Sequence, residues 1–147
     1  QSNKTRLIAE HFAWVHSIER IRIAERLSAQ RPDNLPLLQV CVQVNVSGEA
    51  SKSGCAPDEA LALCQAVAAL PRLNLRGLMA IPETADDFAA QRLPFRRLRE
   101  IFATVCAAGL PLDTLSMGMS HDLEAAIAEG ATIVRIGTAI FGERNYA

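Results

Sequence analysis

Ser120, Gly137 and Thr138 are the residues whose types and placement first suggest chemistry. They fall in two glycine-bearing turns, Met117-Gly-Met-Ser120 and Gly137-Thr138, near the end of a 147-residue chain. A phosphate dianion needs several convergent donors and no carboxylate beside it. Hydroxyls and backbone N–H groups at the start of a helix supply such donors. A phosphate site is therefore the physical expectation. Two turns that do no more than reverse the chain tightly would leave the same pattern, and the residues alone do not separate the two.

The elements that must position these turns are legible around them. Leu123, Ala126 and Ile127 fall at i, i+3 and i+4 and put an apolar stripe on a short helix that Gly130 is placed to end. Thr132-Ile-Val-Arg-Ile136 is β-branched and dense enough for a buried strand. With the strand that ends in Met117–Ser120, this makes a parallel strand–helix–strand unit whose turns open at one sheet edge, outside the carboxyl ends of the strands.

Upstream the chain alternates in the same way. Helical spacing covers Asn3 to about Phe12, and a short strand Ala13–Ile18 follows. A second helical stretch runs from Glu19 to about Gln30 with arginines at 20, 22 and 26 outward. A Pro/Asx loop leads to the strand Leu38–Val46 and the loop Ser47–Gly54. Pro57–Leu70 is helical with its proline in the first turn, and Leu75–Ile81 is the next strand. The fourth helical stretch places Phe95, Leu98, Phe102 and Val105 on one face. Pro94 predicts a kink or a fresh start there, and Arg92, Arg96, Arg97 and Arg99 predict a solvated outer face.

Composition narrows the function classes. A net charge of −1 gives no electrostatic case for nucleic acid or an anionic membrane. No apolar run in these residues reaches bilayer length, and none of them reads as a signal peptide. Cys41, Cys55, Cys64 and Cys106 lack the close pairing of a zinc site and fit a reduced, cytoplasmic protein better than a disulfide framework. Half the residues are apolar, enough to core one domain spanning 1–147. Five strand–helix repeats fit either a complete doubly wound sheet of flavodoxin type or the last five-eighths of a (β/α)8 barrel. A helical start and a phosphate site at the final two strands favour the barrel.

Five ordered motifs carry a resemblance over essentially the whole chain: QSNK at 1–4, Asn45-Val-Ser-Gly-Glu-Ala-Ser-Lys-Ser-Gly54, Arg76-Gly-Leu-Met-Ala-Ile-Pro82, Leu115-Ser-Met-Gly-Met-Ser120 with Asp122, and Val134-Arg-Ile-Gly-Thr-Ala-Ile-Phe-Gly142. Together they resemble the pyridoxal phosphate homeostasis protein family (YggS/PROSC), related in fold to the N-terminal barrel of alanine racemase. The resemblance implies an α/β fold, a (β/α)8 TIM barrel present here as roughly its last five strand–helix units, with the first three strands upstream of Gln1. It implies pyridoxal 5′-phosphate as cofactor, held as a Schiff base on a first-strand lysine that is also upstream. Lys4 and Lys52 belong to other motifs and do not match that position. The family is thought to buffer and deliver the cofactor, with pyridoxal-phosphate-dependent apoenzymes as possible recipients, rather than to turn over a substrate. A racemase-like enzyme and a phosphate-binding flavodoxin-like domain are the alternatives.

The resemblance places Ser120, Gly137 and Thr138 at the phosphate. Ser116 and the turn through Met119 would line the same mouth. Arg135, two residues before Gly137 and on the same face of its strand, would stand near the pyridine nitrogen and keep it unprotonated. Met79, at the end of its strand, would pack on the ring or serve as ordinary core. His11 and His16 have no partner in a recognisable triad, and structural or surface roles suit them better than catalysis. His121 is assigned nothing. Asp122 reads as a first-turn helix stabiliser, and Trp14 as core.

Overall fold

The computed structural model of the chain describes residues 2–48 and 53–144, Ser2 by its backbone alone. Gln1 and Lys52, together with the rest of the 49–52 stretch and Tyr146, lie outside the described residues, so parts of two of the five motifs have no structural account. Among the described residues six helices and five strands alternate: α1 Thr5–His11, β1 Trp14–Ile18, α2 Ile21–Gln30, β2 Leu38–Gln43, α3 Ala60–Ala68, β3 Leu73–Met79, α4 Phe88–Ala107, β4 Thr114–Met119, α5 Leu123–Ala128, β5 Ile133–Arg135 and α6 Thr138–Phe141. Single 3-10 turns, Ser2–Lys4 and Pro57–Glu59, lead into α1 and α3.

All four strand pairings are parallel, and the sheet runs β1-β2-β3-β4-β5 without a reversal. A doubly wound sheet reverses its strand order at a switch point. The sequential order removes the flavodoxin alternative and leaves an arc of a barrel. Register sorts the two faces. Val15 pairs with Val40, Ile18 with Val42, Val42 with Leu78 and Leu78 with Leu115, and all belong to or pack on the apolar cluster under the helices. The alternate set, Cys41 with Gly77, then Gln43 with Met79 and Met79 with Ser116, faces the concave side. Gly77 is required there because a Cβ would run into the Thr114 carbonyl of the neighbouring strand.

Curvature is visible in one bond. His16 Nδ1 on β1 and Ser116 Oγ on β4 are 2.8 Å apart, although β2 and β3 lie between their strands. In a flat sheet, three strand spacings would separate the two backbones by roughly 14 Å. At the opposite end of the strands, Arg76 closes the same concave face. It makes two 2.9 Å bonds to Asp113, donates to Gln39 at 3.1 Å and lies 4.7 Å over the Trp14 ring. Trp14 is thus half-buried on the inner face, packed under a cation rather than within the apolar core.

Two expectations about the helices are corrected and one is narrowed. Helix α4 makes no fresh start at Pro94 and runs through it. Asp87 caps its start by accepting from the Ala89 and Ala90 N–H groups, and Phe95, Leu98 and Val105 hold the stretch beyond the proline against the core. On α5 the inward face is Asp122, Ala125, Ala126 and Glu129, at i, i+3, i+4 and i+7, while Ile127 is 57% exposed. Gly130, with φ +96°, follows the helix as its left-handed terminator. The arginines of α4 are not merely solvated. Arg92, Arg96 and Arg99 converge on the Glu129 carboxylate, whose side chain is 0% exposed, at 3.0, 3.2 and 3.4 Å, and Arg97 donates to the Val46 carbonyl. Burial alone would raise the Glu129 pKa. Hydrogen bonds from Arg92 and Arg96 and the charge of Arg99 outweigh it and hold the carboxyl below its ordinary value.

Candidate functional site

Strands β4 and β5 end side by side, and both turns open at their carboxyl ends. Near the end of β4, Gly118 takes φ +102°, and an added Cβ would come within 2.6 Å of the Ala126 Cβ. Only glycine lets the chain turn this close to α5. The turn is fixed from beyond: Asp122 Oδ1 accepts the Met119 N–H at 2.8 Å. Asp122 sits at the start of α5, but its carboxylate makes no bond to that helix. Its carboxylate thus braces the turn before the helix, while its charge stands at the helix start.

The second turn meets the first through a hydroxyl. Ser120 Oγ accepts from the Gly137 N–H at 3.2 Å and from the Ala139 N–H at 3.1 Å. Two backbone donors at the start of α6 thus converge on one oxygen. Thr138, the first residue of α6, is exposed beside them. A cavity of about 710 Å³ opens here, lined among others by Met119, Ser120, Gly137 and Thr138, four of the seven residues singled out from the sequence. Ala139, whose N–H completes the pair, was not among them; an alanine carries no side-chain signal for a role played by its backbone.

The other three stand beneath this mouth, on the concave face. Met79 and Ser116 are register partners on β3 and β4, both buried. Arg135 is half-buried, and its Nη2 donates to the carbonyl of Ala80, a residue of the cavity wall, at 2.9 Å. Its Nε is buried with no hydrogen-bond partner among the described residues. Burial pulls the Arg135 pKa down, and the charge of Asp122 works the other way.

Sequence reasoning undervalues His16. Two residues after Trp14 on β1, it reaches Ser116, and its pKa is lowered by burial and then by the Arg135 charge, which favours the neutral ring. The period-2 alternation of β1 was the available signal, but an isolated strand does not say which of its faces is concave. Cys41 shares this interior. Burial pushes its thiol up to about 12, which makes it inert near neutral pH. His121, by contrast, is exposed and bonds the Ala85 carbonyl. Among the described residues there is no group of three or more His, Cys, Asp or Glu able to hold a metal ion, and no helix is long and apolar enough to cross a membrane.

Comparison with known proteins agrees with this geometry. The family described as alanine racemase, N-terminal domain, matches residues 1–145. Pyridoxal phosphate homeostasis proteins of Pseudomonas aeruginosa and Escherichia coli are 67% and 55% identical over 99% and 100% of the chain. The chain spans 62% and 63% of those relatives' lengths. Among solved structures, PipY of Synechococcus elongatus with PLP bound superposes with a TM-score of 0.85 at 34% identity, covering 97% of this chain and 66% of that one. An alanine racemase of Clostridium difficile shares the fold, with a TM-score of 0.80 at 13% identity over 98% of this chain and 38% of that one. The chain belongs to the alanine racemase N-terminal domain family, within its YggS/PROSC group of pyridoxal phosphate homeostasis proteins.

Proposed function

We propose that this chain forms the phosphate-binding side of a pyridoxal 5′-phosphate carrier that takes part in cellular vitamin B6 homeostasis. The observation that carries the proposal is the convergence of the Gly137 and Ala139 N–H groups on Ser120 Oγ at the cavity wall. A phosphate oxygen can take the same two donors, with the Ser120 and Thr138 hydroxyls as further ligands. The orphaned Arg135 Nε on the concave face supplies a second test of fit. A buried donor without a partner is costly, and an acceptor on a ring seated there would relieve it.

In this arrangement Ser120, Gly137, Ala139 and Thr138 hold the phosphate, Met119 shapes the mouth, Ser116 stands beneath it, and Met79 packs under the ring. Bound there, the cofactor contributes an electron-withdrawing ring and a reactive aldehyde. Arg135 limits the first property, because a permanent cation beside the ring nitrogen disfavours its protonation. That suits storage and delivery better than turnover, and cytoplasmic apoenzymes that need the cofactor are the proposed recipients. The first three strands of the barrel, with the lysine for covalent attachment, are proposed to lie upstream of Gln1.

The test uses the full-length protein with Arg135→Ala. Loss of cofactor affinity together with a changed absorption spectrum supports the assignment. Unchanged affinity and spectrum overturn the Arg135 role. Racemisation of alanine by the loaded protein, faster than by the free cofactor, overturns the carrier reading.

A further inference from the structure

A basic stripe on α4 carries more positive charge than its packing on Glu129 of α5 uses, and the cofactor site does not explain it. Phe88, Arg92, Arg96 and Arg99 fall at i, i+4, i+8 and i+11 and form one ridge along the helix. Arg92 lies 5.6 Å over the Phe88 ring, which is 46% exposed. The three guanidinium side chains are 35%, 45% and 48% exposed around a single buried carboxylate, Glu129. Arg92 alone already contacts that carboxylate through both Nε and Nη2.

Two further cations are thus gathered beyond what one carboxylate neutralises, at spacings where like charges repel. The three groups own about fifteen N–H donors, and four of them reach Glu129. Glu100, one turn beyond Arg96, forms no ion pair with it among the described residues. In a chain of net charge −1, this concentration of positive charge is local. Its fixed guanidinium array and flanking exposed aromatic match carboxylates repeated at helical spacing next to an apolar side chain.

We propose that this ridge of α4 docks an acidic amphipathic helical segment of a partner protein, with carboxylates on Arg96 and Arg99 and an apolar residue on Phe88.

The test is fluorescence anisotropy of the full-length protein with a labelled helical peptide bearing glutamates one turn apart and a terminal leucine. Expected are saturable binding that weakens as salt rises, loss of binding by the glutamine version of the peptide, and roughly fivefold or greater weakening in Arg96→Gln/Arg99→Gln. Arg92 keeps Glu129 paired in that variant. Arg99→Gln alone, which removes the longest of the three contacts, gives a milder variant, expected to weaken binding about twofold. Arg22→Gln on exposed α2 is the charge-matched control and is expected to bind as the parent does. The proposal is overturned if the peptide fails to bind, if the glutamine peptide binds equally, if Arg22→Gln weakens binding as much as the double variant, or if phosphatidylglycerol vesicles bind at this ridge and the peptide does not.

Discussion

His16 Nδ1 and Ser116 Oγ, on strands three places apart in the sheet, meet at 2.8 Å across the concave face. This contact ties the two sides of the arc together and brings the neutral imidazole near Arg135. Ser116 is wholly buried, so either partner removed leaves the other with an unmet polar atom. Ser116→Ala is expected to cost about 1 kcal/mol, read as a lower urea midpoint at unchanged slope.

The His16 ring also sets a pH dependence. Its folded pKa is lowered from the ordinary 6.5, first by burial and then by Arg135. The contribution is therefore complete above 6.5 and is lost as pH falls below it toward the depressed folded value. Urea midpoints for the parent chain should drop between pH 7.5 and 5.5 more than those of His16→Gln. Equal drops would show that His16 does not carry the difference.

Glu129 behaves as the acid counterpart. Its pKa lies below the ordinary 4.5, so its contribution is present above 4.5 and is lost as pH falls through the lower folded value. Glu129→Gln leaves three arginines without their carboxylate and is expected to destabilise the chain at pH 7 by of order 3 kcal/mol, less any relief from solvent around the half-exposed guanidinium groups. The variant should also lose less stability than the parent on going from pH 6 to pH 3.

Gly118→Ala tests the turn that carries Met119 and Ser120. The positive φ and the approach to Ala126 together should cost about 2 kcal/mol or more. Cofactor affinity in the full-length protein should fall with it, because Ser120 shifts away from Gly137 and Ala139. Normal stability in Gly118→Ala would contradict the close packing of this turn on α5.

Much of the fold could be read from the sequence because each strand and helix carries its own period. The two glycine-bearing turns were found as neighbours because β4 and β5 are consecutive and parallel. Features set by register or curvature were not legible. Period-2 alternation over residues 38–46 told which residues of β2 share a face, but β2 ends at Gln43, and Val44 beyond it bridges Cys55. Glu129 was not singled out from the sequence, because only its place on the inward side of α5 brings it to the arginines. Local periods are the same in a doubly wound sheet and a barrel, so they alone did not choose between them; the five motifs implied the barrel, and the sequential strand order agrees.

Ser120→Asp places a fixed negative charge against the Gly137 and Ala139 N–H groups. It should keep the chain folded while blocking the cofactor's phosphate. Retained affinity for pyridoxal 5′-phosphate in this variant would argue that the phosphate lies elsewhere.

The most direct measurement is the amide resonances of Gly137 and Ala139 in this chain during titration with pyridoxal 5′-phosphate, inorganic phosphate and pyridoxal. The expected result is saturable shifts of both amides with the two phosphate-bearing compounds and none with pyridoxal. Unmoved amides with pyridoxal 5′-phosphate, or equal shifts with pyridoxal, would contradict a phosphate site at Ser120.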